Sequence, residues 1–389
     1  MAASARPRLR LALPSKGMEE ETLAFLRSCG LAVNRPNPRQ YRATIRALDG
    51  VEVLFQRAAD IFAKVDEGSV DLGVTGFDVV SEHRHEEDQV VMLQPELGFG
   101  HCALVVAVPD GWIDVESVAD LAEVAATLRA RGRELRVATK YPNLSRQYLY
   151  DHGINFFTLV ESSGAMEAAP ALGYADVICD LTSSGVTLRE NRLKPISGGT
   201  ILASQACLIG NREALRSDPA RLHLTRAILE HVEATLRARD YFSLTANIRG
   251  ESPEAVARLV TAHGEVAGLR GPTVARVYPK AGGDDTWFAV TVVVGGALLL
   301  RAVEALRRAG AADVTAQPLR YVFEHKAWSY EALLRELRLR DQPAPPEGAL
   351  GEGPQADDRV GLGGRDHGRA GVPPADAGRA SALTRKETE

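Results

Sequence analysis

The 389-residue chain has few cysteines, no long apolar run and no large excess of either charge. Its four cysteines, Cys29, Cys102, Cys179 and Cys207, are far apart and form no C-x-x-C pair. That spacing excludes a disulfide framework or a zinc ribbon. Three of them lie in apolar runs such as "HCALVVAV" and "ACLIG", as buried reduced thiols do. No segment approaches the ~20 apolar residues of a membrane helix. The opening "MAASARPRLRLALP" has no long apolar stretch behind its basic residues, so no secretory leader is expected and the chain reads as cytoplasmic.

Lys and Arg number 46 against 51 Asp and Glu, a formal net charge of -5. Sequence-independent nucleic-acid binding needs a basic excess, so neither nucleic acid nor membrane is an expected partner. A local basic pocket for a small anion remains compatible with that total. No G-x-x-x-x-G-K-[ST] motif occurs, and "PSKG" at Pro14–Gly17 is too short to serve as one, so any nucleotide must be held another way. The nine histidines suggest no metal cluster. His83 and His85, in "SEHRHEED", read as part of a solvated charge run.

What is present is an ordinary globular composition, 45% hydrophobic and 25% charged, long enough for two or three domains. Strand-like and helix-like segments alternate from the start. "RLRLALP", "VEVLFQ", "VDLGVTG" and "HCALVVAVP" read as buried strands. A helix near Met18 to Cys29 carries Glu19, Glu20 and Glu21 in its first turn and stops at Gly30. Asp60 is a candidate cap for a short helix through Val65. Ser117 is a candidate N-cap for "VADLAEVAATLRARG", followed by "LRVATKY", a helix from about Asn143 to His152, "NFFTLVES", and "ADVICDL". This alternation predicts an α/β protein with largely parallel sheets in two lobes around a cleft. The expected division is 1–100, completed by 190–217, for one lobe and 101–189 for the other.

Pro219 to Arg239 reads as a long amphipathic helix, after which the order becomes βαββαβ, the ferredoxin-like plan. Residues 218–328 are therefore expected to form a connecting helix and a small additional domain. For 329–389 the expectation is one short helix and then, from Pro343, a disordered tail rich in Pro, Gly, Ala and charge.

The segment from Ala175 to Leu193, "ADVICDLTSSGVTLRENRL", carries the most chemistry. A buried strand brings Asp180 to its carboxyl end, with Asp176 four residues earlier. The turn Thr182-Ser183-Ser184-Gly185-Val186-Thr187 then offers hydroxyls and backbone N–H groups to a phosphate, helped by the start of the next helix. Carboxylates beside a phosphate repel it unless a ribose diol or Mg²⁺ intervenes, so the combination suits a sugar phosphate. The same residues also suit an ordinary capped helix start, and the segment alone does not separate the two readings.

As a pattern, D-V-I-C-D-L-T-S-S-G-V-T-L resembles the phosphoribosyl pyrophosphate loop of ATP phosphoribosyltransferases, D-x-x-x-D-L-x-S-T-G-x-T-L, with Ser184 where Thr is usual. "LALPSKG", "RAADIFAKVDEGSVDLGVTGFDVVSE", "RVATKYPNLSRQYL", "ESSGAMEAAPALGYADVICDL" and "ACLIGNR" are similar to further family segments, in the same order. Phe62 stands where the family usually has Pro. The likeness runs from about Leu9 to Glu324. "YFSLTANI…LRGPTVARVYP" resembles the regulatory domain of the long-form class.

This resemblance implies a two-lobed core like type II periplasmic binding proteins plus a ferredoxin-like regulatory domain. It implies that ring nitrogen 1 of ATP attacks the anomeric carbon of phosphoribosyl pyrophosphate, the first step of histidine synthesis. It further implies Mg²⁺ held mainly by substrate phosphates, inhibition by histidine, and a homo-oligomer, dimer or hexamer. Thr182, Ser183, Ser184, Gly185, Val186 and Thr187 are then expected at the ribose 5-phosphate, and Asp176 and Asp180 at the ribose hydroxyls. Lys16, Arg57, Lys140 and Tyr141 are expected to meet substrate groups from strand ends, and Glu167 to orient a substrate hydroxyl. Two competing readings are a two-lobed solute-binding protein and a non-catalytic regulatory paralogue.

Overall fold

The computed structural model describes residues 8–161, 166–262, 271–278 and 286–339. The tail expected from Pro343 onward lies outside the described residues, as does part of the "ESSG" motif.

Lobe I opens with β1 (Leu9–Pro14), α1 (Glu19–Ser28), β2 (Val33–Asn34), β3 (Arg42–Ile45), β4 (Val51–Gln56), α2 (Ala58–Asp66), β5 (Leu72–Gly76), α3 (Phe77–His83) and β6 (Val90–Gln94). Lobe II follows with β7 (Cys102–Pro109), α4 (Val118–Ala130), β8 (Leu135–Thr139), α5 (Pro142–Asp151), β9 (Phe157–Glu161), β10 (Val177–Thr182), α6 (Val186–Glu190) and β11 (Leu193–Ser204). The chain then returns to lobe I through β12 (Ala206–Asn211), α7 (Arg212–Ser217) and α8 (Pro219–Ala238). Lobe I is a seven-stranded sheet in the order β2-β3-β4-β1-β5-β12-β6, and lobe II a five-stranded sheet in the order β11-β7-β10-β8-β9.

The expected two-lobed α/β class is observed, but the sheets are mixed rather than largely parallel. β1 is parallel to both β4 and β5, and β8 to both β9 and β10. β12 inserts antiparallel between β5 and β6, and β7 is antiparallel to β10 and β11. These antiparallel strands are the ones beside the two crossings between lobes. β11 pairs with β7, so residues 193–204 belong to lobe II, and lobe I resumes only at Ala206. The expectation that lobe I is completed by 190–217 is corrected accordingly, since its first part pairs within the lobe II sheet. The register of β11 shifts on either side of Thr200.

The central strands read as continuous apolar runs because both faces of each sheet are covered. Odd-numbered residues of β1, such as Leu11 and Leu13, pack with α1 and α8, whereas Ala12 faces Ile61, Phe62 and Val65 of α2. Phe62 is thus a buried core residue in mid-helix. In lobe II, Leu121 of α4 and Leu149 of α5 cover Val137 and Val177, while Ile178 and Ala138 face Met166 and Leu188. The predicted cap of α4 is present as a capping box in which Ser117 and Asp120 satisfy each other's backbone N–H.

Beyond α8 come β13 (Tyr241–Arg249), α9 (Pro253–Thr261), β14 (Thr273–Val277), β15 (Trp287–Gly295), α10 (Leu299–Arg308) and β16 (Val314–Pro318). They form a sheet in the order β14-β15-β13-β16, the ferredoxin-like arrangement, with α9 and α10 on its Leu244, Val290 and Val292 face. The last described helix, α11 (Trp328–Leu337), does not stay with this domain. Its Tyr330, Leu333, Leu334 and Leu337 enter the lobe I core beside Leu229 and Val232 of α8.

Candidate active site

Because β8 and β10 are parallel neighbours, with Cys179 opposite Thr139, their carboxyl ends open on the same edge of lobe II. That edge carries Lys140 and Tyr141 after β8, and Asp180 with the turn to Thr187 at the end of β10. Asp180 is half-buried, and its Oδ1 accepts from the Leu181 N–H at 2.9 Å. Burial raises its pKa and the charge of Glu167 adds to the rise. The Leu181 N–H and the Lys140 ammonium act in the opposite direction. Glu167, in a 3-10 turn at Met166–Ala168, and Lys140 are therefore both electrostatic neighbours of Asp180.

The turn itself is held by its own first residue. Thr182 Oγ1 accepts from the Gly185 N–H at 2.9 Å, and a longer 3.5 Å contact joins the Val186 N–H to Ser184 Oγ. Gly185 has φ 69°, the left-handed region where a side chain is costly, and nothing lies within 4 Å of a Cβ built there. The N–H groups of Ser183 and Ser184 and the hydroxyls of Ser183 and Thr187 have no partner among the described residues. Ser183, Ser184, Val186 and Thr187 are exposed. α6 has only five residues, so its dipole adds little. What the turn offers an anion is its free N–H and O–H groups.

Lobe I contributes strand ends of the same kind. The Ser15 N–H donates to the Gln56 carbonyl at 2.7 Å, which keeps the turns after β1 and β4 together. Those turns carry Lys16 and Arg57, both exposed and with no side-chain partner among the described residues.

Asp176 is not brought to this edge, which corrects the sequence expectation. It immediately precedes β10, and four residues of extended chain span about 13 Å, so it lies at the opposite end from Asp180. There its Oδ1 accepts from Arg136 Nη2 at 2.8 Å and its Oδ2 from the Arg136 backbone N–H at 2.9 Å, while Arg136 Nη1 reaches the Gly173 carbonyl at 2.6 Å. Lobe I repeats the same staple. Asp71 accepts from the Arg10 backbone N–H at 2.7 Å and from Arg10 Nη2 at 3.1 Å, and Arg10 Nη2 also reaches the Gly68 carbonyl at 2.9 Å.

Two acidic residues that sequence reasoning passed over join the lobes. Asp78, at the start of α3 and only 4% exposed, accepts from the Tyr141 hydroxyl at 2.7 Å and from Ser204 Oγ at 2.6 Å. Glu82, one turn later and 3% exposed, accepts from the Asn143 and Leu144 N–H groups at 2.8 and 3.0 Å. Burial first, and then the Asp78 charge and hydrogen bond, push the Tyr141 phenol well above its usual range, so it stays a neutral donor. The available signal was two acidic residues four apart, "DVVSE", next to an apolar strand. Read as sequence, it looks like a solvated helix face.

Among the described residues no group of three or more His, Cys, Asp or Glu is placed to hold a metal ion, and no helix is long and apolar enough to cross a membrane.

Comparison with known proteins follows the same division. A family model described as ATP phosphoribosyltransferase matches residues 57–234, and one described as HisG, C-terminal domain matches 238–321. ATP phosphoribosyltransferase 2, chloroplastic, of Arabidopsis thaliana is 40% identical over 86% of this chain and 82% of its own length. The ATP phosphoribosyltransferase of Brucella melitensis biotype 2 is 49% identical over 59% of this chain and 96% of its own. A solved ATP phosphoribosyl transferase (HisG:HisZ) complex from Thermotoga maritima aligns with a TM-score of 0.44 at 24% identity, covering 58% of this chain and 98% of that one. With relatives of this identity and coverage, and with the C-terminal domain present, the chain belongs to the ATP phosphoribosyltransferase family in its long form.

Proposed function

We propose that this enzyme transfers the phosphoribosyl group of phosphoribosyl pyrophosphate to ring nitrogen 1 of ATP, releasing pyrophosphate, as the first step of histidine synthesis. The observation that carries this reading is the shared edge of β8 and β10, where Asp180 and Lys140 flank an open turn with unpaired N–H and O–H donors. The ribose 5-phosphate is assigned to Thr182–Thr187. Asp180 accepts from the ribose hydroxyls, and Glu167 orients a substrate hydroxyl. Asp176 is left out of the site. Lys140, Lys16 and Arg57 supply positive charge to the phosphates of the two substrates, and Tyr141, whose one hydroxyl proton goes to Asp78, offers a substrate group its phenolic oxygen as an acceptor.

Ring nitrogen 1 already holds a lone pair, so a strong general base is not required. The protein has to align two polyanions and stabilise charge as it separates. The donor set fits Mg²⁺ carried on substrate phosphates, because one or two carboxylates such as Asp180 and Glu167 are what such an ion takes from protein. When bound, the ion neutralises the leaving pyrophosphate.

The direct test is to mix the protein with ATP, phosphoribosyl pyrophosphate and Mg²⁺ and follow N1-phosphoribosyl-ATP by absorbance. Asp180→Ala combined with Gly185→Val should abolish product while the chain stays folded. No product from the unaltered chain, with tight binding of one solute, would support a binding protein instead. Full activity in the double variant would overturn the site assignment.

We further propose that the βαββαβ domain makes the enzyme sensitive to histidine and that the working form is a homo-oligomer, dimer or hexamer. The presence of that domain supports the first part. Histidine titrated into the assay should inhibit, and sedimentation should show more than a monomer. The four free thiols suit a reducing compartment such as the cytoplasm.

A further inference from the structure

The amino terminus of α5 has no cap from its own chain neighbourhood. Tyr141 occupies the N-cap position without a side-chain bond to the helix, and Pro142, in the first turn, has no N–H. The next two N–H groups, of Asn143 and Leu144, would be orphan donors of a helix start. Both are taken by Glu82, one on each carboxylate oxygen, from a helix of the other lobe. The Glu82 main-chain carbonyl also accepts from Asn143 Nδ2 at 3.1 Å. One turn earlier on α3, Asp78 holds the Tyr141 hydroxyl. Asp78 is itself fixed by Ser204, which ends β11 just before the chain crosses between sheets. Ser204 Oγ donates to Asp78 Oδ1 and accepts from the Asp78 N–H at 2.9 Å.

Residues four apart on a helix share a face, so the two carboxylates act as one clamp on the start of α5. Within lobe II the same segment is held by Thr139, whose Oγ1 accepts from the Tyr141 N–H at 3.0 Å and bonds Ser145 Oγ at 3.0 Å, and by Arg146, whose Nη1 donates to Asn143 Oδ1 at 3.3 Å. Lys140 sits between these two fixed points.

We propose that Glu82 and Asp78 are positioning residues: they cap α5 across the lobes and so fix Lys140 beside Asp180 for the transfer reaction. This rests on the reading that Lys140 and Asp180 belong to the active site. The clamp links lobe docking to site assembly, because the α5 start takes its carboxylate cap from α3 when the two lie together. Neither carboxylate touches substrate in this scheme.

Four variants test it: Glu82→Ala, Glu82→Gln, Lys140→Ala and the Glu82→Ala/Lys140→Ala pair, each assayed for kcat and KM of both substrates. Glu82→Ala should lower kcat/KM by about 10- to 100-fold, the penalty for misplacing a reacting group by around an ångström. Glu82→Gln keeps one acceptor and should recover part of that loss. It also serves if the alanine variant does not fold. In the Lys140→Ala background, removing Glu82 should cost little more, because residues acting through one group are not additive. Losses that multiply independently would mean Glu82 acts on stability alone and would overturn the inference. An impaired Lys140→Ala beside wild-type kinetics in both Glu82 variants would overturn it while leaving the site reading intact. A silent Lys140→Ala would remove the site reading, and this inference with it.

Discussion

Asp176 accepts from the Arg136 guanidinium at 2.8 Å, at the end of β10 away from the candidate phosphate turn. Burial by itself would raise the Asp176 pKa, but the Arg136 hydrogen bonds, with the Arg136 and Arg133 charges, outweigh it and hold the group below the usual range. A depressed carboxyl pKa adds stability above the unfolded-state value of about 3.9, and that contribution is lost as pH falls through the folded value. Asp176→Asn should therefore cost about 1–3 kcal/mol at neutral pH. The gap from the unaltered protein should close as pH falls below about 4. Denaturant melts at several pH values measure this. KM for phosphoribosyl pyrophosphate should stay unchanged, and a rise would return Asp176 to the site.

Asp180 behaves oppositely. Burial and the Glu167 charge raise its pKa, so its ionised form is lost at a higher pH than for an exposed aspartate. The acid limb of the kcat/KM profile should follow that group. Glu167→Gln removes a charge that raises the pKa and should move the limb to lower pH. Asp180→Asn should lower activity and flatten the limb. A limb that ignores Glu167 would detach Asp180 from the rate.

Gly185→Ala isolates the turn. The space around a Cβ is open, so the substitution acts through the φ of 69° alone, at about 1–2 kcal/mol for a left-handed residue. If the turn holds the 5-phosphate, KM for phosphoribosyl pyrophosphate should rise severalfold while KM for ATP changes little. Equal shifts in both would argue against a dedicated phosphate site.

Much of this was legible in the chain. Leu9–Pro14, Leu72–Gly76 and Cys102–Pro109 announce themselves as apolar runs because both faces of their sheets are covered. Ser117 and Asp120 announce a cap, and the βαββαβ order survives intact. The short β2 and β3 left no periodicity to read. Asp176 was misread because spacing alone does not say which end of a strand a residue occupies. Asp78 and Glu82 look like surface acids until lobe II is packed against them, a relation carried by contacts 61 to 63 residues apart. Long-range pairing of that kind has no local signature.

The same limit bears on how regulation is to be tested. Ending the chain near Arg239 removes the ferredoxin-like domain, but it also removes α11, whose Leu333, Leu334 and Leu337 are at most 3% exposed in the lobe I core. Each buried leucine is worth about 1.5–3 kcal/mol, so the truncated chain loses several kcal/mol and exposes Leu229 and Val232 of α8. It should melt well below the full chain and tend to aggregate, whatever histidine does to the intact enzyme. Leu333→Ala in the full chain should reproduce part of that loss, about 2–5 kcal/mol, without removing the regulatory domain. If the truncated chain instead melts like the full one, α11 is not part of the lobe I core in solution. Insensitivity of that stable truncation to histidine could then be read as a regulatory effect and not as damage to the catalytic lobe.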